Sequence, residues 1–330
     1  MAAPLVVAAF LALGPALVDS DASLPALATE PSIRGDTLAF VCEGDVWVAD
    51  IGVGTAHRLT RHEGTESSPK LSPDARFVAF TGEYDGAREV YVMPTEGGPP
   101  RRLTYRYEGS EVLGWSPDGR HVYFRSGQIP RPFQLFRVPV SGGFPEQLPF
   151  EFLSHAAAAP DGRRLVFTRF PRSGHAWFRY EGGMRNTIWV ADLLDLKFQE
   201  VATAQGSCEY PQWAENRLVF AVDLGGKFVI QSVDERGGDR KTLVGPSELE
   251  IRFLDTDGEW LVYNRGLTIE RVRVAGGRPE TIRLKLVSDR VHTRTFRVSA
   301  ADFVQDVRIG PTGSHVLAIS RGQVISLPVG

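Results

Sequence analysis

Cysteine, methionine and long apolar runs are scarce in this sequence. Its 330 residues include three methionines and two cysteines, Cys42 and Cys208. Neither cysteine lies in a CxxC or other metal-binding spacing, so we interpret both as buried small apolar residues, with a disulfide as the alternative. The N-terminal apolar stretch, residues 5–17, is too short to cross a bilayer. The sequence therefore predicts no cysteine-based metal site and no membrane span.

Residues 1–28 are predicted to be a signal peptide or a flexible N-terminus. The apolar stretch has the length of a signal-peptide core. The first basic residue, however, is Arg34, so the usual positively charged region before the core is missing. We predict export to the periplasm with cleavage near Ala22 or Ala28, and a cytoplasmic location is the alternative.

The charges of the chain are nearly balanced. It has 37 Lys and Arg against 40 Asp and Glu, which gives a net charge of −3 with neutral histidines. A protein that holds nucleic acid through its phosphates usually carries a broad positive field. We therefore predict no nucleic-acid partner.

Catalytic motifs are also missing. No GxSxG, HExxH or phosphate-loop pattern occurs. Nucleophilic catalysis needs a Ser or Cys beside a base that a third group orients, and no such set can be recognised. The seven histidines are scattered through the chain: His57, His62, His121, His155, His175, His292 and His315. We predict no catalytic residue, no metal and no cofactor, so this chain alone would not be an enzyme.

What the sequence does contain is a repeated pattern. Its 34 glycines and 22 prolines indicate many turns. One copy runs from the turn Ser72-Pro73-Asp74 through two short strands to Gly97-Gly98 and the triplet Arg102-Leu103-Thr104. A similar copy starts at Ser116-Pro117-Asp118. Proline, aspartate and glycine suit tight turns, and the flanking segments alternate apolar and polar residues as strands do.

An aromatic residue at the end of the second strand marks each repeat. Successive markers are separated by 40, 44, 43, 53 and 43 residues: Phe40, Phe80, Phe124, Phe167, Phe220 and Tyr263. Units of about 40 to 45 residues with four short strands are typical of propeller blades. We therefore predict an all-β fold, a six-bladed β-propeller of WD40-like or TolB-like repeats over residues 29–286.

A seventh copy of the pattern follows the sixth. Residues 282–286 are predicted to be the last strand of the sixth unit, residues 287–301 a linker, and residues 302–330 the first strands of a second propeller. The first unit already has four candidate strands of its own, so the seventh copy is not needed to close the ring. The sequence thus predicts a truncated second propeller and a chain that is a fragment.

Several segments together resemble the tricorn protease family. The most specific are Arg179-Tyr180-Glu181-Gly182-Gly183 and the junction that begins at Ala300-Ala301-Asp302-Phe303. The others are residues 31–41, 44–47 and 80–86. The resemblance implies a serine peptidase that trims short peptides, in which a six-bladed and a seven-bladed propeller precede the catalytic domains. It also implies a homo-oligomer, in which the propellers pass peptides to or from a shielded active site.

Two segments are predicted to contact peptides or neighbouring domains. The family's pattern has basic residues before the third blade that hold a peptide's terminal carboxylate. The shorter loop here offers one of them, Arg106. The second segment, residues 170–185, lengthens the central hairpin of the fourth blade, and its composition suits either peptide contact or packing on the next domain. Its candidate residues are Arg172, His175, Trp177, Arg179, Tyr180 and Arg185.

The leading functional hypothesis is therefore a non-catalytic propeller that gates a tricorn-like serine peptidase. Its predicted partners are the remaining domains of the same peptidase and short peptides. The alternative is a free-standing exported propeller of the TolB kind that binds other proteins.

Overall fold

The computed structural model describes residues 27–127, 133–150, 152–170, 182–202, 206–286, 288, 297 and 299–329. The chain divides into two compact units, Met1–Ser288 and Asp289–Gly330. None of the helices in the described segments is long and apolar enough to cross a membrane.

The first three sheets of the first unit are antiparallel, with strands in sequence order. Blade 1 contains β1 (Ala28–Arg34), β2 (Thr37–Cys42), β3 (Asp45–Asp50) and β4 (Thr55–Arg58). Blade 2 contains β5 (Glu66–Leu71), β6 (Phe77–Gly82), β7 (Glu89–Pro94) and β8 (Arg101–Arg102). Blade 3 contains β9 (Glu111–Trp115), β10 (His121–Ser126), β11 (Gln134–Pro139) and β12 (Glu146–Gln147).

The next three sheets repeat this arrangement. Blade 4 contains β13 (Ala156–Ala158), β14 (Arg164–Phe167), β15 (Ile188–Asp192) and β16 (Lys197–Ala202). Blade 5 contains β17 (Ser207–Ala214), β18 (Arg217–Asp223), β19 (Phe228–Asp234) and β20 (Lys241–Ser247). Blade 6 contains β21 (Ile251–Thr256), β22 (Trp260–Arg265), β23 (Thr268–Arg273) and β24 (Glu280–Thr281).

The first strands of the six sheets form a closed ring. Each of β1, β5, β9, β13 and β17 contacts the first strand of the next sheet, and β21 contacts β1. The sheets therefore surround one central axis, with β1 and its equivalents innermost. The prediction of an all-β propeller is confirmed, and the described part of the first unit has six blades around its ring.

The apolar core lies between neighbouring blades. Each aromatic marker of the repeat is on the second strand of its blade and is buried. Phe80 of blade 2, for example, belongs to one cluster with Val46 and Val48 of blade 1. Phe40 of blade 1 shares a cluster with Val262 of blade 6. Because one face of each sheet packs on the next sheet, the alternating pattern of the strands is satisfied only in the closed ring.

The Ser-Pro-Asp turn is held by its own side chains. Ser72 Oγ donates a 2.6 Å hydrogen bond to Asp74 Oδ1 and accepts one of 3.0 Å from the Phe77 N–H. The hydrogen bonds from Ser72 and Arg76 lower the pKa of Asp74 to about 2. Ser116 and Asp118 make the same contact at 2.5 Å in blade 3. These aspartates are thus turn formers, as the sequence predicted.

The Arg-Leu-Thr triplet fastens the outer strand of a blade to its third strand. In blade 2, Thr104 Oγ1 accepts a 2.9 Å hydrogen bond from the Val90 N–H and donates one of 2.5 Å to Glu89. Arg102 forms an ion pair with the same carboxylate at 3.1 Å. Leu103 is buried. Each residue of the triplet therefore has a structural role.

The end of the first unit differs from the expected strand at residues 282–286. The fourth strand of blade 6 is Glu280–Thr281, and a further strand, β25 (Lys285–Leu286), pairs in parallel with β4 of blade 1. The Lys285 N–H donates a 2.9 Å hydrogen bond to the Gly54 carbonyl. The Ile282 N–H still donates a 2.9 Å hydrogen bond to the Ile269 carbonyl of blade 6, and the chain then crosses over so that β25 covers the outer edge of blade 1.

The second unit contains one antiparallel sheet. A short 3-10 helix, Ala300–Phe303, precedes β26 (Val304–Ile309), β27 (His315–Ser320) and β28 (Gln323–Pro328). The strands pair in sequence order.

Candidate functional site

Four innermost strands carry the same irregularity at the ring axis. The pairing of β1, β5, β17 and β21 with their neighbours shifts register at a β-bulge. A residue with positive φ lies in each bulge: Glu30 at 56°, Ser68 at 51°, Tyr210 at 52° and Phe253 at 56°. In the first three bulges a proline follows this residue. Proline has no N–H to donate to a neighbouring strand, so within sheets it occurs at edges and bulges. A bulge turns nearby side chains out of the regular alternation.

These bulges border a cavity of about 400 Å³. Its wall includes residues from the innermost strand of every blade: Glu30, Lys70, Glu111, Ala156, Tyr210 and Phe253. A cavity with such a wall must lie on the axis, at the end where the chain enters the innermost strands. We call this cavity the channel mouth. Its volume is within the range of small-ligand sites.

Three arginines at the channel mouth are each held by a carboxylate. Arg125 lies 2.8 and 2.9 Å from the two carboxylate oxygens of Glu111, and Arg88 lies 2.6 Å from Glu83. Arg252 forms an ion pair with Glu250. Bidentate and charge-assisted contacts of this kind fix the orientation of the guanidinium groups. The wall of the channel mouth therefore carries three guanidinium groups, each paired with a carboxylate.

Lys70 lines the channel mouth and lies close to the buried Asp255. Lys70 Nζ lies 3.8 Å from Asp255 Oδ1, across the innermost strand of blade 1. Asp255 Oδ2 accepts hydrogen bonds from Ser32 Oγ at 2.6 Å and from the Ile33 N–H at 3.1 Å. Burial alone would raise the pKa of Asp255, but Lys70, Arg34 and these hydrogen bonds hold it below its ordinary value. Asp255 is thus an anion in the folded protein.

Burial also raises the pKa of Glu30, and here it outweighs the contacts that oppose it. Its carboxylate accepts a hydrogen bond from the Ser68 N–H, and its backbone N–H donates to Asn264 Oδ1 at 3.0 Å. The Ser68 contact and the nearby Lys70 lower its pKa, whereas burial and the nearby Glu111 raise it, and the net shift is upward.

Ser154, His155 and Glu209 lie together beside the channel mouth but lack the geometry of a catalytic triad. Ser154 Oγ is 3.2 Å from His155 Nδ1, and Glu209 Oε2 is 3.7 Å from the same nitrogen. In a triad the acid and the nucleophile contact different ring nitrogens. Ser154 is also fully buried. Burial, together with the cations Arg125 and Lys70, holds the pKa of His155 well below its ordinary value, so the ring is neutral at pH 7.

An aromatic surface completes the wall. The His155 ring lies 4.5 Å from the Tyr210 ring, and Tyr210 lies 5.5 Å from Phe253. The channel mouth therefore joins charged groups from blades 1, 2, 3 and 6 to an aromatic surface from blades 4 to 6. No group of three metal-ligating side chains occurs among the residues that the structure describes.

Of the predicted contact residues, Arg106 lies outside the channel mouth. Its Nε donates a 2.9 Å hydrogen bond to Ser126 Oγ, and its guanidinium stacks on Phe136 at 4.2 Å. Glu108 lies 3.6 Å away. These contacts attach the loop between β8 and β9 to blade 3. A role of Arg106 in peptide binding stays a prediction.

Most of the predicted contact residues of blade 4 fall outside the described residues: Arg172, His175, Trp177, Arg179 and Tyr180. Arg185 is described and half-buried, and its N–H donates a 3.1 Å hydrogen bond to the Gly182 carbonyl. The segment is tied at its base by Asn186. The Asn186 side chain exchanges hydrogen bonds of 2.6 and 2.8 Å with the Phe170 backbone and donates one of 2.9 Å to Glu209.

The sequence reasoning missed the residues that line the channel mouth. A signal was present, because Glu30-Pro31, Ser68-Pro69 and Tyr210-Pro211 recur at the same place in three repeats. Proline inside a predicted strand indicates an edge or a bulge. The direction of each side chain, however, depends on the bulge geometry, which spacing alone does not define.

The fold and the channel mouth define a closed β-propeller with a charged axial site. Residues 25–278 match the model of the tricorn protease N-terminal beta propeller domain, and the chain belongs to this family. Tricorn protease homolog 1 of Streptomyces coelicolor is 31% identical over 282 residues, which cover 84% of this chain and 26% of the relative. The chain thus spans about a quarter of the length of that relative.

Solved structures have the same architecture. A tricorn protease crystal structure superposes with a TM-score of 0.73 at 24% identity, covering 92% of this chain and 30% of the other. A putative TolB from Agrobacterium tumefaciens gives a TM-score of 0.56 at 20% identity, covering 68% of this chain and 84% of the other. At these identities the likeness concerns the fold alone.

Proposed function

We propose that this chain is the non-catalytic N-terminal propeller of a tricorn-like serine peptidase and that its axis gates the passage of short peptides. The observation that carries the proposal is the channel mouth, to which every blade contributes at least one side chain. Because all six blades contribute to this site, the site exists only when the ring is closed. A passage along the axis has the same requirement. Family membership supports the peptidase context.

The wall of the channel mouth supports a gating role rather than catalysis. Paired arginines and an aromatic surface can contact both the polar backbone and the apolar side chains of a peptide. The triad-like set at Ser154 and His155, within the described residues, places both partners on one ring nitrogen. Peptide hydrolysis would therefore be performed by other domains of the parent protein.

The remaining assignments complete this proposal. The partners would be the other domains of the peptidase, short peptides and further copies of the parent, and β26–β28 would begin a second propeller after the linker at residues 287–301. Residues 1–28 would be a signal peptide that directs export. Sequencing the N-terminus of the mature protein tests the last point, since an intact Met1 would contradict it.

An antibody against the propeller tests the peptidase context. We expect it to precipitate, from cells of the source organism, a polypeptide about four times as long as this chain that reacts with a fluorophosphonate serine probe and hydrolyses short peptides. Recovery of a 36.3 kDa chain without any serine-reactive partner would contradict the proposal and favour a free-standing binding propeller.

A bulky substitution at the channel mouth tests the passage of peptides. Ser67 lines the cavity, so Ser67→Trp in the parent protein should lower the turnover of short peptides without changing labelling by the serine probe. Ser141→Trp is the matched control, because Ser141 is exposed in a turn at the outside of blade 3. Equal turnover in both variants would contradict passage along this axis.

A further inference from the structure

Lys70 differs from the other cations of the channel mouth. Arg88, Arg125 and Arg252 each have a carboxylate within hydrogen-bond distance. Among the described residues, the one carboxylate paired with Lys70 Nζ is Asp255, at 3.8 Å, which is too far for a hydrogen bond. The Lys70 side chain is nevertheless only 16% exposed. Lys70 also lines the channel mouth, so it is a largely buried cation at the wall of the cavity.

Asp255 is already occupied by other groups. Its Oδ2 accepts from Ser32, from the Ile33 N–H and from Arg34, the last at 3.2 Å. These three contacts anchor Asp255 to blade 1, so it cannot move toward Lys70 without breaking the link between blades 6 and 1.

The other charged groups around Lys70 in the described part of the chain are engaged elsewhere. Glu30 is engaged by the Ser68 N–H, and burial raises its pKa. Glu111 is engaged by both contacts to Arg125. His155 is neutral. A buried ammonium group is costly unless it is fully hydrogen-bonded, so an entering anion would gain a contact that the protein itself does not provide.

We propose that the channel mouth selects peptides by charge and that Lys70 is the selecting residue, which binds a peptide carboxylate and repels cationic side chains. This inference rests on the proposed passage of peptides. It differs from the expectation for Arg106, which lies outside the cavity and is held by Ser126 and Phe136. The carboxylate could belong to an acidic side chain or to the C-terminus of the peptide.

Four blocked tripeptides distinguish these sources in NMR titrations of the 330-residue chain. N-acetyl-Ala-Glu-Ala-amide has a side-chain carboxylate, N-acetyl-Ala-Ala-Ala acid has a terminal one, N-acetyl-Ala-Gln-Ala-amide is neutral and N-acetyl-Ala-Lys-Ala-amide is cationic. We expect at least one carboxylate probe to bind about fivefold to tenfold more tightly than the neutral probe. Whichever probe shows this preference identifies the source of the carboxylate.

Substitution of Lys70 then tests the residue itself. Lys70→Met should remove the preference, leave the neutral probe unchanged and not weaken the cationic probe, whereas Lys70→Arg should retain the preference. Lys241→Met is the matched control, because Lys241 is 57% exposed and paired with Asp239 at 3.0 Å. Weaker binding of all four probes to Lys70→Met would indicate a merely structural role and overturn the proposal.

The outcomes also separate this inference from the proposed function. Equal binding of the carboxylate and neutral probes to the unmodified chain would overturn charge selection and leave peptide passage standing. Failure of every probe to bind would count against both charge selection and the passage of peptides.

Discussion

Ser32 Oγ donates a 2.6 Å hydrogen bond to Asp255 Oδ2 and accepts one of 3.0 Å from the Leu71 N–H. The contact joins the innermost strands of three blades, the sixth, the first and the second. Ser32 is fully buried and Asp255 nearly so. The ring is therefore closed at its centre by a polar link, while β25 covers the outer edge of the same junction.

We predict that Asp255→Asn weakens this closure. The substitution retains one acceptor but removes the charge that faces Arg34 and Lys70, which should lower the free energy of unfolding by about 2–4 kcal/mol. Urea unfolding followed by tryptophan fluorescence measures the change. Asp85→Asn is the control, because Asp85 is 73% exposed in its pair with Arg102 and should change stability by less than about 0.5 kcal/mol. Equal effects of the two substitutions would contradict a role in closure.

Asp255 should also make the stability of the folded protein depend on pH in the acid range. Its pKa is lowered in the folded state, so its contribution is present above the unfolded pKa and is lost as the pH falls through the folded pKa. The difference in stability between the unmodified chain and Asp255→Asn should therefore shrink below about pH 4. Urea midpoints measured from neutral pH downward test this, and a constant difference across the range would contradict the prediction.

The strands and turns could be predicted from local chemistry. The Ser-Pro-Asp turns need only their own side chains, and the buried aromatics repeat with the blade, so both were visible in the sequence. The separation of β24 from β25 was not visible, because pairing with β4 depends on a contact more than 200 residues away in the chain. Local strand propensity in residues 282–286 does not distinguish the two partners.

The candidate site was harder to predict for a related reason. Its residues come from all six blades, and each is a single position in an otherwise regular repeat. Lys70 is conspicuous only after the distances to Asp255 and to the paired arginines are known. The contact residues inferred from the long hairpin of blade 4 belong to one continuous segment, which composition alone could single out.

The hydrogen bonds of the Arg-Leu-Thr triplet give a further prediction. Thr104→Val removes a hydroxyl group that accepts from the Val90 N–H and donates to Glu89, leaving buried polar groups without this partner. We expect it to lower the free energy of unfolding by about 1–3 kcal/mol, while Thr104→Ser, which keeps the hydroxyl, costs less than half as much. Chemical denaturation of both variants provides the measurement. Equal losses would show that packing of the methyl group, not hydrogen bonding, is what matters.

Glu66 should make stability depend on pH near neutrality. Burial raises its pKa to about 7, although hydrogen bonds with Tyr84 and Thr60 lower it. Because the folded pKa is raised, the stabilisation is complete below the ordinary pKa of 4.5 and is lost as the pH rises toward 7. The loss should reach up to about 3 kcal/mol.

Unfolding free energies measured between pH 4 and 8 test this prediction. Glu66→Gln should flatten the profile, because the amide remains neutral throughout, whereas Glu63→Gln in the exposed neighbouring loop should leave it unchanged. An unchanged slope in Glu66→Gln would assign the pH dependence to another group.

Substitution by glycine should change the free energy of unfolding in opposite directions at a bulge position and at a regular strand position. Ser68 has a φ of 51°, in the left-handed region where a side chain is strained, while its neighbour Ser67 lies outside that region. Ser68→Gly should therefore raise the free energy of unfolding by roughly 0.5–1 kcal/mol, because glycine relieves the strain. Ser67→Gly should lower it by a similar amount, since glycine gains entropy in the unfolded chain. Thermal unfolding of the pair compares the signs directly. Equal losses of unfolding free energy in the two variants would mean that the Ser68 backbone is not strained. The bulge beside Lys70 and Glu30 at the channel mouth would then carry no energetic cost.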